Sequence, residues 1–270
     1  MSRVLSELKR YGVIYMLFAK NCFISQMEYR LNFIFSCMIE CAFLIVKILY
    51  VVVVYNIGER INGLTPDEVL LFVGAYTAMT GIYVMLFWKN FTSLPEHIRT
   101  GTLDMYMVKP VSLQFITTMR YVDIGLPVPN LVGGIVMIVL GWKRVGIEAN
   151  LLNITGFVGY MIMGVFLTYA IFLLPQLLAF WVVKTGGLIE ITSSLWDFNN
   201  MPMTIYNKWI QRIGIYVLPL FMITNFPPLF VLHKMNTPLI LWGIAAPIIF
   251  MFVTRKIWSV AIKSYTSASS

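Results

Sequence analysis

The sequence predicts an all-α integral membrane protein in which six transmembrane helices form one domain over residues 1–270. Apolar and aromatic residues make up 59% of the chain and charged residues only 12%, about half the charged share of a soluble domain. The mean hydropathy is +0.80, and the charged side chains are too few to cover the surface of a soluble fold of this length. The lipid bilayer suits the chain better, since runs of about 20 apolar residues cross a membrane.

The cations do not indicate a nucleic-acid-binding protein, and the cysteines do not indicate a metal site. The net charge is +8, but the cations are scattered between apolar runs, so we expect no nucleic-acid partner. Cys22, Cys37 and Cys41 lack the spacing of metal ligands. We interpret them as small apolar residues of the bundle.

The start of the chain predicts a helix lying in the membrane interface. Residues 1–30 mix apolar side chains with cations such as Arg10, so that one face suits hydrocarbon and the other suits headgroups. The first span follows at 31–55 and is interrupted only by Glu40 and Lys47.

The second span begins at a strong helix-start signal. Thr65 is followed by Pro66 and, three residues after the threonine, by Glu68, which is the pattern of a capping box with proline at the first helical position. The span covers 69–88. Hydrophobicity then falls over 89–114, and we expect a polar cytoplasmic connection there.

Prolines disturb the next two spans. The third, at 115–142, contains Pro127 and Pro129, and because each proline removes a backbone donor we expect a kinked or broken helix. The fourth, at 154–183, contains Pro175 as an expected kink.

The fifth span leaves two possibilities open within 186–232. Two short apolar stretches, Leu188–Phe198 and Ile213–Leu232, occur there; we expect one to cross and the other to dip into the membrane or lie flat. The sixth span covers 238–254. Thirteen of the twenty Lys and Arg residues then fall on the side that carries both ends of the chain, six fall on the other side and one lies within a span, which predicts cytoplasmic termini.

Known catalytic patterns are missing from the sequence. It contains no G-x-x-x-x-G-K-[ST] phosphate loop and no H-E-x-x-H, and its two histidines, His97 and His233, are expected on opposite sides. We therefore expect no enzyme activity, bound cofactor or metal on this chain. A lipid-modifying membrane enzyme would need a nucleophile or metal site that these residues do not form.

Charged residues at membrane depth are candidates for function. An unpaired charge costs about 2.5–3.5 kcal/mol at the centre of a helix, and Glu40 lies about 14 Å into the first span at 1.5 Å per residue. It either lines a polar translocation path or is paired inside the bundle, while Lys47 can extend outward. Glu190 and Asp197, seven residues apart on one helical face, leave the same two possibilities. Nearer the interface, Arg120 is expected to form a local ion pair with an aspartate one turn later, Asp123.

Three motifs occur in order along the chain. The polar connection reads His-Ile-Arg-Thr-Gly-Thr-Leu-Asp-Met-Tyr-Met-Val-Lys-Pro-Val over 97–111, Met-Pro at 201–202 precedes a proline-rich stretch that ends at Pro228, and the tail reads Trp-Ser-Val-Ala-Ile-Lys-Ser-Tyr-Thr-Ser-Ala over 258–268. Together they resemble the cytoplasmic loop, outer segment and tail of type-2 ATP-binding-cassette (ABC) exporter permeases, over essentially the whole chain. Met201, where an aromatic residue commonly precedes the proline, departs from the pattern.

The resemblance implies a coupling helix at Leu94–Leu103 that docks into a separate ABC ATPase subunit and is braced by the N-terminal helix. A proline near its start and Gly101 as its stop suit a short rigid helix. The residues expected to couple are Pro95, Glu96, His97, Ile98, Arg99, Gly101, Leu103 and Asp104.

The resemblance also implies an outer gate and an assembly. A re-entrant or interfacial hairpin would close the exit; its candidate residues are Pro202, Tyr206, Pro219, Pro227 and Pro228. Two permease chains, identical or paralogous, would work in a bacterial cytoplasmic membrane with two ATPase chains that bind the ATP and magnesium, and would export an amphipathic drug, peptide or lipid.

The sequence leaves one other function open. In an ATP-independent carrier or membrane scaffold, Glu40, Glu190 and Asp197 would relay protons or bind cations. A co-purified ATPase distinguishes the two functions.

Overall fold

The computed structural model describes residues 2–60, 63–182 and 185–265. The structure is 82% helical and contains no strands within this described part, which confirms the all-α class. Five helices are long and apolar enough to cross a membrane, and a bent helix pair raises the number to six. The five are Arg30–Ile57, Pro66–Arg99, Pro127–Val145, Leu151–Phe180 and Thr237–Ser264.

The first two helices meet at a sharp break. Helix α1 (Ser2–Glu28) ends one residue before α2 (Arg30–Ile57), and Tyr29 between them has φ −100° and ψ 59°. Helix α2 stops at Gly58, whose φ of +69° suits glycine and whose N–H bonds to the Val54 carbonyl.

Helix α3 (Pro66–Tyr83) starts at the capping box that the sequence predicts. The Glu68 N–H donates to Thr65 Oγ1 at 3.3 Å, and the Thr65 N–H donates to Glu68 Oε2 at 2.9 Å. The helix does not stop where the chain becomes polar, because a π-helical turn at Val84–Trp88 joins it to α4 (Lys89–Arg99). The expected connection at 89–114 therefore begins as a helix that runs to Arg99, since polar residues end a membrane span without ending a helix.

The predicted third span is interrupted. Two short helices, α5 (Leu103–Met107) and α6 (Leu113–Met119), precede a non-helical segment at 120–126, and α7 (Pro127–Val145) follows. The break lies where the prolines predict it.

The remaining helices complete the bundle. They are α8 (Leu151–Leu177) with a 3₁₀ turn at Leu178–Phe180, α9 (Gly186–Asp197), α10 (Lys208–Arg212) with a π-helical turn at Ile213–Val217, α11 (Leu220–Val231) and α12 (Thr237–Ala261) with a 3₁₀ turn at Ile262–Ser264. The last helix thus runs well past the predicted end at residue 254. The predicted boundary near 183–184 lies outside the described residues.

Helix α3 is buried because α7 approaches it closely. A Cβ at Gly74 would lie 2.7 Å from the backbone nitrogen of Ile138, and one at Gly141 would lie 2.8 Å from the backbone of Leu71. Small residues allow such an approach between membrane helices, and here they pack α3 at the centre of the chain's own core.

Helices α9 and α11 lie in the two stretches that the sequence leaves open for the fifth crossing, and neither helix is long enough to cross alone. Helices α9 and α11 each have 12 residues, about 18 Å, which is too short for about 30 Å of hydrocarbon. Both pack antiparallel to α8, one after the other. The contacts run in order along α8: Gln176 with Thr192, Phe172 with Trp196, Gly164 with Ile223, Tyr160 with Phe226 and Gly156 with Phe230.

Candidate functional site

A tight turn joins α4 to α5, and we call residues Thr100–Thr102 the Gly101 turn. The Thr100 N–H donates to the Glu96 carbonyl at 2.9 Å, and the Asp104 N–H donates to the Gly101 carbonyl at 3.1 Å. Gly101 has φ +73°, a conformation that glycine adopts without steric cost. The glycine therefore reverses the chain between the two helices.

The structure corrects the extent of the expected coupling helix. Leu94–Leu103 is not one helix, because it comprises the end of α4, the Gly101 turn and the first residue of α5. Helix α4 ends at Arg99, since Gly101 in the left-handed region cannot continue it.

The expected coupling residues divide into anchors and an exposed surface. Leu94, Pro95 and Leu103 are buried, so they fix the turn to the bundle and cannot contact a partner. Glu96 and Arg99 are exposed and pair at 2.7 Å, while His97, Ile98, Gly101 and Asp104 are partly exposed. Exposed apolar residues that sequence reasoning missed follow the turn, namely Met105, Met107 and Val108.

Tyr106 connects the turn to the segment after α6. Its ring meets the His97 ring edge to face at 5.3 Å, and its hydroxyl accepts a hydrogen bond from Arg120 Nη1 at 2.6 Å. The expected ion pair of Arg120 with Asp123 does not form in the described structure; the Asp123 carboxylate instead accepts the Leu126 N–H at 3.1 Å. The helical spacing assumed for that pair is absent, because 120–126 is not helical.

Asp104 links the polar connection to the tail of the chain. Its carboxylate interacts with the Tyr265 hydroxyl. Burial, with a further contribution from this carboxylate, raises the pKa of Tyr265 to about 12. Two motifs far apart in sequence therefore meet beside the Gly101 turn.

Helix α1 lies along the connection and braces it. Tyr11 Oη accepts the Ser112 N–H at 3.0 Å, and Gln26 donates to the Val122 carbonyl at 2.9 Å and accepts the Ile124 N–H at 3.0 Å. Asn90 on α4, which is 1% exposed, supports the segment after α6 in the same way. We call the end of the bundle formed by α1, α4–α6 and the Gly101 turn the α1 face.

Sequence reasoning missed Gln26 and Asn90 because neither residue belongs to a motif or to the segment expected to contact the ATPase. Asn90 donates to the Tyr121 carbonyl at 2.8 Å and accepts the Tyr121 N–H at 2.9 Å. A side-chain amide carries both a donor and an acceptor, so it satisfies backbone groups that a non-helical segment leaves unpaired. Asn90 lies in the predicted polar connection and Gln26 in the predicted interfacial helix, where amides are common, so no sequence signal singles them out.

Glu40 is paired inside the bundle. Its carboxylate accepts a hydrogen bond from the Asn130 side chain, and Asn130 Oδ1 in turn accepts one from Lys47 Nζ at 2.9 Å. The lysine also lies 5.1 Å above the Tyr76 ring, so it points into the chain instead of extending outward.

Glu190 and Asp197 are exposed on the face of α9 that points away from the core. The opposite face carries the buried residues Leu188, Thr192 and Trp196. Asp197 accepts a hydrogen bond from Asn200 at 3.2 Å, and Glu190 has no hydrogen bond or ion pair in the described part of the chain.

The proline-rich segment forms a bent pair of helices, which we call the outer hairpin (208–231). Its two arms, Lys208–Val217 and Leu220–Val231, meet at 100°, and Pro219 lies at the bend. Tyr206 packs 5.0 Å from the Phe221 ring and donates to the Phe198 carbonyl at 3.3 Å. The other gate candidates, Pro202, Pro227 and Pro228, are buried.

A comparison with known families agrees with this architecture. The model of a family described as ABC-2 family transporter protein matches residues 41–269, a range that contains the Gly101 turn and the outer hairpin. The chain belongs to the ABC-2 transporter family. No curated protein and no solved structure matches it.

Family membership confirms the resemblance seen in the sequence. This permease is a membrane component of an ABC transporter, in which the transmembrane subunit is non-catalytic and an ATPase partner is implied. Helix α1 precedes the matched range, so its bracing contacts are an observation of the structure alone.

Proposed function

We propose that this permease is the transmembrane subunit of an ATP-driven exporter and that a separate ATPase docks on the Gly101 turn. The observation that carries the proposal is a polar turn, exposed at Thr100 and fixed to the bundle by the buried anchors Leu94 and Leu103. A partner that displaces this turn therefore also displaces the buried anchors that fix it to the bundle.

The continuous helix from Pro66 to Arg99 transmits that movement. It has 34 residues, about 50 Å at 1.5 Å per residue, and its middle is packed against α7, α8 and α11. Because packed cores switch between discrete arrangements instead of deforming continuously, displacement of the turn is converted into a change of helix packing.

The distribution of charge supports an orientation in the membrane, and the family supports an assembly with an ATPase. Most cations lie on the side of the α1 face, which we assign to the cytoplasm together with both termini, in a bacterial cytoplasmic membrane. Two permease chains, identical or paralogous, pair with two ATPase chains, which hold the ATP and magnesium.

The substrate path lies between the two permease chains. The exposed carboxylates of Glu190 and Asp197 face outward from this chain, where a second chain forms the opposite wall. Glu40, bridged to Lys47 through Asn130, is assigned a structural pairing. The outer hairpin, with its bend at Pro219, closes the exit, and the substrate is an amphipathic drug, peptide or lipid.

Affinity purification of the tagged permease from its native membrane tests the proposal. We expect an ABC ATPase subunit to be recovered with it, and the complex to hydrolyse ATP in lipid nanodiscs. A permease recovered without ATPase, which moves substrate along an ion gradient, would instead establish the ATP-independent carrier.

A further inference from the structure

A cleft of about 590 Å³ opens at the α1 face, which is within the range of about 300–1,000 Å³ for small-molecule sites. It lies between α1, the start of α2, the π-helical turn that joins α3 to α4, and the non-helical segment 120–126. We call it the polar cleft. Its polar and charged lining residues include Asn21, Ser25, Asn32, Lys89, Lys109 and Arg120.

Positive charge exceeds negative charge in the polar cleft, where three cations and one carboxylate are among the described lining residues. None of the three cations Lys89, Lys109 and Arg120 forms an ion pair within the described part of the chain. Two of them lie against one ring, with Lys109 Nζ 5.6 Å and the Arg120 guanidinium 5.2 Å from the Tyr106 centroid. Asp123, the single carboxylate among the described lining residues, already accepts a backbone N–H.

Neutral polar groups in the cleft are also without partners. The side chains of Asn21 and Ser25 on α1, and of Asn32 and Ser36 on α2, make no hydrogen bond to any described residue. Amides and hydroxyls of this kind donate readily to the oxygens of a phosphate.

The rest of the cleft is apolar, and it opens beside apolar helix surface. Phe18, Val84 and Ile116 contribute to its lining. On α2, next to the polar residues of the cleft, Leu31 is 73% exposed and Phe35 is 60% exposed. A ligand with an anionic head in the cleft therefore has hydrocarbon-compatible surface for its tail, which a free phosphate would not use.

We propose that the polar cleft binds the phosphate headgroup of an anionic phospholipid from the leaflet at the α1 face, with its acyl chains along α2. Basic pockets at helix junctions near the membrane surface hold such headgroups. The site is separate from the Gly101 turn and does not depend on the exporter proposal.

Lipid titration followed by native mass spectrometry tests the site. The purified permease in mild detergent is titrated with phosphatidylglycerol, and phosphatidylcholine serves as the zwitterionic comparison. Removal of one cation by Lys109→Gln or Lys89→Gln should weaken phosphatidylglycerol binding about fivefold, and the double variant about 25-fold. These lysines are exposed and unpaired, so the variants should retain the wild-type melting temperature.

Lys256→Gln is the matched control. This lysine lies near the same end of the bundle, on α12, but it is not part of the cleft; its ammonium lies 5.3 Å above the Phe252 ring. The control should bind phosphatidylglycerol like the wild type. Equal weakening in the control, or equal affinity for the two lipids, would overturn the proposal.

A soluble competitor separates a lipid site from a site for free anions. Glycerophosphoglycerol carries the phosphate of phosphatidylglycerol without its acyl chains, and it should not displace the lipid at tenfold molar excess. Displacement at equimolar concentration would show a soluble-anion site and would refute the lipid assignment.

Discussion

Replacing Gly101 by alanine should uncouple the ATPase from the permease while leaving the fold intact. Gly101 has φ +73°, and an L-residue in the left-handed region costs about 1–2 kcal/mol. If the turn relieves this strain by changing conformation, the native turn loses a factor of about 5–30 in population. Substrate-stimulated ATP hydrolysis by the complex in nanodiscs should therefore fall by a factor of this order.

Gly146, at the opposite end of the bundle, offers a matched control. Gly146 follows α7 with φ +76°, and a Cβ there would meet no atom within 4 Å, so Gly146→Ala introduces the same backbone strain without touching the Gly101 turn. Both variants should insert in the membrane and lose a similar amount of thermal stability. Undiminished stimulation in Gly101→Ala, or an equal loss of stimulation in Gly146→Ala, would refute the coupling role of the turn.

Three further predictions concern groups away from the turn. Asn90→Leu removes both hydrogen bonds to the Tyr121 backbone and should destabilise the fold by about 2–5 kcal/mol, measured as a lower melting temperature in detergent; a wild-type melting temperature would contradict the bracing role. Asn130→Leu leaves Lys47 without its bridge and should lower stability without changing transport per folded molecule, whereas a selective loss of transport would place this network on the substrate path. Because the pKa of Tyr265 is raised from 10 to about 12, its neutral form stabilises the fold below pH 10 and this contribution is lost as the pH rises toward 12. Melting temperatures between pH 9 and 12 should therefore fall less steeply in Tyr265→Phe than in the wild type, and parallel curves would show that the residue does not contribute.

Features encoded by neighbouring residues could be predicted from the sequence. The capping box at Thr65 and Glu68 forms as expected, because its spacing alone sets the geometry. The break before Pro127 likewise follows from a backbone donor that proline lacks. Hydropathy sufficed for the fold class, since every element of this chain must satisfy its backbone internally to enter a bilayer.

Features that depend on distant contacts could not be predicted. The sequence shows that the second predicted span becomes polar at Lys89, but it does not show that the helix continues there through a π-helical turn into α4. The positions of α9 and α11 depend on which turns of α8 each helix contacts, and no local pattern encodes that order. Arg120 was assigned to the wrong partner for the same reason, since its actual partner, Tyr106, belongs to another helix.

Site-specific photo-crosslinking in the intact complex shows whether the ATPase binds at the Gly101 turn. A benzophenone amino acid is placed at Thr100, which is exposed in the turn, or at Ala149, which is exposed at the opposite end of the bundle. Binding at the Gly101 turn predicts an adduct of permease with ATPase subunit from position 100 and none from position 149. An adduct from position 149, or none from position 100 in a complex that still co-purifies, would contradict it.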